Sequence, residues 1–326
     1  MKRALPLFTT AVLWMSSAAP AQAAAPVFAE LLRLAGGPQD IPVFTGAPRS
    51  AAQAVIVAAD GARVIGEEAL ARALDGADLV YSGEQHDQEL HHRIQLAVLK
   101  AMHARRPGLA VGLEMLDLTQ QPSLDAYLSG RMSEAEFAQF WKKAWGFDYE
   151  LYRPILSYAK DNGIPCRALN APSSIIKQIA KGGLGSLTPQ QRALLPETIA
   201  PIDDPRYLAY VKASLNGHGQ ALPPEREARM LEAMQTWNET MGESALKALR
   251  ERGAVLVVAG SGHMIYGSGI AESVRRRAGP RQKVVLPYPT GGDESVPLAE
   301  LLARLQDRES EDIQFADFFW LLPQAD

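Results

Sequence analysis

Three short apolar runs in this chain end alike, in a glycine or a tight turn followed by acid or histidine. Leu79 to Asp87 reads Leu-Val-Tyr-Ser-Gly-Glu-Gln-His-Asp and releases Glu84 and His86 at its end. Leu109 to Met115 delivers Glu114, and Ala254 to Gly260 delivers His263 through Gly-Ser-Gly-His. Strands that are apolar throughout, rather than alternating, belong to parallel sheets covered on both faces. In such sheets ligands and chemistry gather at the carboxyl ends of the strands. The pattern predicts an α/β fold, a mostly parallel sheet flanked by helices, with Glu84, His86, Glu114 and His263 in one site.

The intervening sequence supplies the helices. Asp87 to Arg106 carries Leu90, Ile94, Ala97, Val98 and Met102 at helical spacing and stops at Pro107-Gly108. Strand, helix and strand over this stretch form a βαβ unit, expected to be right-handed. His91 and His92 fall in the helix's first turns and read as solvated, with His92 able to turn to the site. Cys166 to Leu169 is a third strand, and Lys283 to Tyr288 and Ile313 to Leu322 are later ones. Ala24 to Ser50 reads as an extended lead with one short helix near Phe28 to Ala35. Pro224 to Arg252 is a long helix, and Arg275-Arg276-Arg277 closes another, where cations suit the negative end of the dipole. Residues 117–153 and 182–252 read as helical insertions forming a cap over the C-terminal edge of the strands.

Met1-Lys2-Arg3, the mostly apolar Ala4 to Ala18 and Ala21-Gln22-Ala23 read as a secretory signal peptide over residues 1–23, leaving 24–326 as a single domain. The expected location is periplasmic and soluble, since no later segment reaches about 18 apolar residues, the length of a membrane span. The net charge of −4 and the lack of a basic run interleaved with aromatics argue against a nucleic-acid partner. Cys166 is the one cysteine, so neither an internal disulfide nor a cysteine-pair metal site can form. The chain has no Gly-x-Ser-x-Gly elbow, no Walker sequence and no dinucleotide fingerprint after a strand.

Two carboxylates and two imidazoles suit a borderline divalent ion such as zinc, manganese or cobalt. On that reading Glu84, His86, Glu114 and His263 are the ligands, and an open position holds an activated water. The competing reading makes Glu84 a helix cap and the histidines hydrogen-bonded core residues. Tyr149, Tyr152 and Tyr266 flank the expected cleft, and tyrosinate is a known ligand of haem iron. His218, in Asn216-Gly-His-Gly, is a loop histidine able to approach a ligand or a second subunit.

Gly83-Glu-Gln-His-Asp87, His91-His-Arg93, Gly112-Leu-Glu-Met115, Trp141-x3-Trp145-Gly-x-Asp-Tyr, Tyr152-Arg-Pro-Ile, Leu169-Asn-Ala-Pro172 and Ala259-Gly-Ser-Gly-His263 occur in this order. Together they resemble the ChaN family of haem-binding, iron-regulated bacterial proteins, over about Gly61 to Gly279. That family lies within the superfamily of TIKI, TraB, erythromycin-esterase-like and ChaN-like proteins. The resemblance implies haem held between two subunits, by a Tyr ligand and a His from the partner, with an outer-membrane haem-uptake system as a further partner. Tyr152, Tyr266 and His218 are the haem candidates. The chain departs from the ChaN pattern in lacking a lipoprotein cysteine. The superfamily resemblance implies the alternative, a metal-dependent hydrolase in which Glu84 or Glu114 serves as general base. The expectation is therefore a periplasmic, dimeric haem-binding protein of haem or iron uptake, and an enzyme only on the alternative.

Overall fold

The computed structural model describes residues 26–36, 39–41, 52–216, 222–293, 296–310 and 315–323. The expected signal peptide and His218 lie outside them. Among the described residues nine strands form one sheet: β1 (Gln39–Ile41), β2 (Ala52–Ala58), β3 (Arg63–Ile65), β4 (Leu79–Glu84), β5 (Ala110–Asp117), β6 (Cys166–Asn170), β7 (Val255–Gly260), β8 (Gln282–Pro289) and β9 (Phe318–Leu322). Their order is β1-β2-β9-β8-β4-β7-β5-β6, with β3 paired to β2. From β9 to β6 every pairing is parallel, while β2 is antiparallel to each of its neighbours. The three strands that carry the acids and histidines, β4, β7 and β5, are therefore consecutive at the centre of the sheet.

The strand alternation divides the core into two layers. Ile56, Val80, Val111, Leu113, Leu256, Val258 and Trp320 face the helices Glu89–Arg105, Glu134–Ala144 and Tyr149–Asp161. Val57, Leu79, Tyr81, Val255, Val257, Leu286 and Phe319 face the opposite side, with Phe28, Tyr207, Met241 and Ile270 from its helices. A sheet buried on both faces needs apolar side chains at every position, and β4 and β7 are buried throughout. Cys166 is buried, and burial pushes its thiol up to about 12, so it is inert.

The differences from the sequence reading are local. β2 and β3 form a hairpin that the Ala-rich stretch 51–65 did not announce. Of the last strand expected over Ile313 to Leu322, Phe318–Leu322 forms β9, buried along its length instead of alternating, and Ile313 lies outside the described residues. Gly83 stands within β4 and not in the turn beyond it. Its hydrogen is required because a Cβ there would lie 2.5 Å from Leu286 and 2.6 Å from the Ser261 hydroxyl. Arg276 and Arg277 do more than meet the helix dipole: both pair with Glu239, a buried carboxylate of the long helix Pro224–Arg252. At the outer edge of β6, the Gln121 amide accepts the Ala168 N–H at 2.7 Å and donates to the Cys166 carbonyl at 3.0 Å.

Candidate functional site

Glu84 is the last residue of β4 and lies beside Gly260, the last residue of β7. Glu114 leaves β5 where its register to β6 shifts, between Leu113 and Asp117. Such an irregularity re-aims a side chain at a strand end. The Asn170 amide ties down the Glu114 carbonyl at 3.0 Å. His86 follows β4 by two residues. A Cβ on Gly260 would lie 2.9 Å from the His86 ring and 3.5 Å from Glu114 Oε2, so the bare glycine lets the imidazole settle beside Glu114. The four expected residues do meet at the ends of three adjacent strands.

They meet as two imidazole–carboxylate pairs. Glu84 Oε1 accepts from His86 Nδ1 at 2.7 Å and from the Tyr152 hydroxyl at 2.6 Å. Its Oε2 accepts from Gln95 at 2.8 Å and faces His92 Nδ1 at 3.2 Å. Those contacts occupy the roughly four acceptor sites of a carboxylate. Glu114 Oε2 accepts the Gly260 N–H at 2.6 Å, and Oε1 faces His263 Nε2 at 3.3 Å. His263 Nδ1 meets Asn238 Oδ1 at 2.7 Å, Asn238 donates to the Tyr207 hydroxyl, and Tyr207 donates to the Gly262 carbonyl. That chain orients the Asn238 amide so that its oxygen faces the ring and His263 Nδ1 carries a hydrogen.

His91 and His92 are corrected by the structure. Both are buried, not solvated. His92 presents its two nitrogens to acceptors only: Gln95 Oε1 and Glu84 on one side, the His86 carbonyl on the other. Both nitrogens therefore carry hydrogens, and His92 is a buried imidazolium against a buried carboxylate. His91 does the reverse. Its Nδ1 accepts the Gln85 N–H at 2.9 Å and so pins the turn that carries His86.

The electrostatics follow from these contacts. Burial alone would raise Glu84, but the charge of His92 and the hydrogen bond from His86 hold it far below the ordinary carboxylate range. Burial likewise opposes charge on His86, yet Glu84 and the nearby Glu114 raise it to about 9. Burial, with His92 beside it, pushes His91 down to about 4 against the weaker opposing pull of Glu84 and Asp87. Glu114 is lowered: burial works against the shift and His263 outweighs it. The side chain of Glu84 is fully enclosed, whereas His86 is 28% exposed under the edges of Trp145 and Phe147.

The donor set answers the question of what the site holds. Among the described residues, no group of three or more His, Cys, Asp or Glu side chains is disposed to grip an ion. Glu84 has no oxygen lone pair left to offer, so the quartet does not fit a shared divalent ion. For haem the tyrosines separate. Tyr152 is buried with its hydroxyl held by Glu84, and burial together with that charge pushes the phenol well above its ordinary value. A phenolate ligand does not fit there. Tyr266 lies elsewhere, in a cavity of about 280 Å³, beneath the Arg206 guanidinium at 5.1 Å from the ring centroid.

Gln95, Asn238 and Tyr207 are site residues that the sequence reading did not assign, while His92 does turn to the site. His92 and Gln95 stand three apart on the helix leaving β4, a spacing that puts them on one face. That was the available signal for the first pair. Asn238 and Tyr207 come from distant helices and carry no local signal.

An α/β sheet with imidazole–carboxylate pairs at its central strand ends defines the class. Residues 70–274 match the family described as haem-binding uptake, Tiki superfamily, ChaN, and the chain belongs to that family. It is similar in fold to a solved structure described as cofacial heme binding to ChaN of Campylobacter jejuni. The TM-score is 0.59 at 18% identity, covering 83% of this chain and 97% of that one. It is 25% identical over 232 residues to the chloroplastic protein RETICULATA-RELATED 5 of Arabidopsis thaliana, which covers 64% of this chain. The match spans only 31% of that relative's length. Among the described residues no helix is long and apolar enough to cross a membrane.

Proposed function

We propose that the chain binds haem in iron acquisition or haem handling, in the periplasm, with two copies sharing the cofactor. The observation that carries this reading is the family match over residues 70–274. The leader sequence supports the location, and the heme-binding relative from Campylobacter supports the ligand. Tyr266 is the proposed iron ligand, because its ring borders a cavity beneath the Arg206 guanidinium. His218, outside the described residues, is a further candidate that would help hold the haem. Bound haem would supply the iron centre; the chain's own residues orient it and set the charge around it.

Haemin titrated into the chain without residues 1–23 tests this. A saturable shift to a tyrosinate-type high-spin spectrum is expected, lost in Tyr266→Phe and retained in Tyr152→Phe. Both variants and their double binding like wild type would overturn the tyrosine assignment. No saturable shift in the wild type would overturn haem itself.

A second reading is favoured by the two imidazole–carboxylate pairs. His86 and His263 flank Glu114, an arrangement able to move a proton at the strand ends in hydrolysis. On this reading Glu114→Gln abolishes turnover in an esterase screen; an unchanged rate removes Glu114 from the chemistry.

A further inference from the structure

The two imidazole–carboxylate pairs at the strand ends are built in opposite senses. His86 has its Nδ1 spent on Glu84 at 2.7 Å. His263 has its acid on the other nitrogen. Its Nε2 faces Glu114 Oε1 at 3.3 Å, and a neutral amide, Asn238, stands behind Nδ1 at 2.7 Å. The direction of the hydrogen bonds behind His263 is forced from one end. The Gly262 carbonyl can only accept, so the Tyr207 hydroxyl spends its single hydrogen there, at 2.8 Å. The hydroxyl oxygen is then an acceptor, and Asn238 must turn its NH2 toward it, at 2.9 Å. That leaves Oδ1 for the ring, and an oxygen without a hydrogen requires one on Nδ1. Packing keeps this chain in place. Tyr207 and Asn238 are buried, and Tyr210 stacks on Tyr207 with 6.5 Å between ring centroids. A Cβ on Gly269 would lie 2.3 Å from the His263 carbonyl oxygen and 3.0 Å from the Tyr207 hydroxyl, so the bare glycine admits both.

We propose that Asn238, locked by Tyr207, is the positioning residue of His263. It confines the ring to the form with a hydrogen on Nδ1, so that any proton His263 exchanges moves at Nε2, against Glu114. The proposal rests on the hydrolytic reading and names the pair that works in it. In ester hydrolysis, water bonds through its oxygen to the acyl carbon and yields a proton to Glu114 and His263. The acyl–oxygen bond breaks, and the departing alcohol takes that proton back. An amide suits the place behind the ring because it orients the imidazole without bringing a second charge to it. His86 differs, since a carboxylate already claims its rear nitrogen.

Nitrogen NMR of the purified, isotope-labelled chain tests this, in buffer alkaline enough to leave the ring uncharged. The His263 signals are assigned by their loss in His263→Gln. Wild type is expected to show a hydrogen on Nδ1 and a bare Nε2. Asn238→Leu should exchange the two, with Nε2 donating to Glu114, while Asn238→Asp, which keeps the acceptor, should hold the wild-type form. Tyr207→Phe, a milder change, should give a mixture, and it carries the test if melting shows that Asn238→Leu does not fold. On p-nitrophenyl acetate, kcat should fall about 100-fold in Asn238→Leu at unchanged KM, within the range that acid–base catalysis contributes. It should recover in Asn238→Asp. A bare Nδ1 in wild type, or an unchanged ring in the folded variants, overturns the proposal whatever the activity. An exchanged ring with an unchanged kcat removes Asn238 from the proton's path and leaves hydrolysis standing. The expected ring signals without turnover by wild type overturn the hydrolytic reading and leave the assignment of the ring standing.

Discussion

At the residue scale, the pairing of His92 with Glu84 decides most of what this site tolerates. A buried ion pair is weak evidence for stability, but removing one partner strands the other charge, at a cost of about 3–5 kcal/mol. The pH dependence of stability follows from three histidines of opposite character. His91 is near 4 in the fold against an ordinary 6.5, so its contribution is present above about 6.5 and is lost as pH falls toward 4. Glu84 and Glu114, both lowered, add further losses on the acid side. His86 is raised to about 9, so its contribution is complete below about 6.5 and fades as pH climbs through 9; His92, also raised, adds to the loss on the alkaline side. Melting temperature is therefore expected to peak near neutrality. In His91→Asn, whose side-chain oxygen can still accept the Gln85 N–H, the loss between pH 6.5 and 4 should flatten while the alkaline limb stays. Thermal melts from pH 4 to 10 check this, and an unchanged acid limb would remove His91 as its source.

At the element scale, the long helix Pro224–Arg252 and the helix Ile270–Arg277 approach so closely that Gly242 has no room for a methyl group. A Cβ would lie 2.3 Å from the Ser273 hydroxyl and 2.7 Å from its Cβ. Gly242→Ala is expected to cost about 1–3 kcal/mol by overpacking, measured by urea denaturation. A stability equal to wild type would show that the two helices slide apart freely. How much of this was readable follows the same physics. β4, β5 and β7 were legible because a central parallel strand must be apolar at every residue, and because acid or histidine directly after such a run is conspicuous. The helix Pro224–Arg252 was legible from its caps and length. β2 was not. Its Ala52–Ala58 stretch joins the main sheet by pairing with β9, more than 250 residues away, and nothing local records that pairing. His91 and His92 misled for a related reason. Two polar residues in a helix's first turns ordinarily face water, and only the tertiary placement of Glu84 makes burial of an imidazolium favourable.

At the scale of the whole molecule, two helical layers cover the sheet, the imidazole–carboxylate pairs sit at its strand ends and a cavity opens beside Tyr266. A ligand held at the rim of that cavity keeps one face toward solvent, and a second copy is the proposed cover. Size-exclusion chromatography should therefore show a shift toward dimer when haemin is added. A monomer at saturating haemin would end the shared-cofactor model while leaving the binding site intact. The manner of any such union is narrowed by one side chain. Gln121 spends both halves of its amide on the backbone of β6, standing in for the strand that would otherwise have come next. The sheet is in effect stoppered there. A further strand would have to displace that amide before it could pair with β6 along this border.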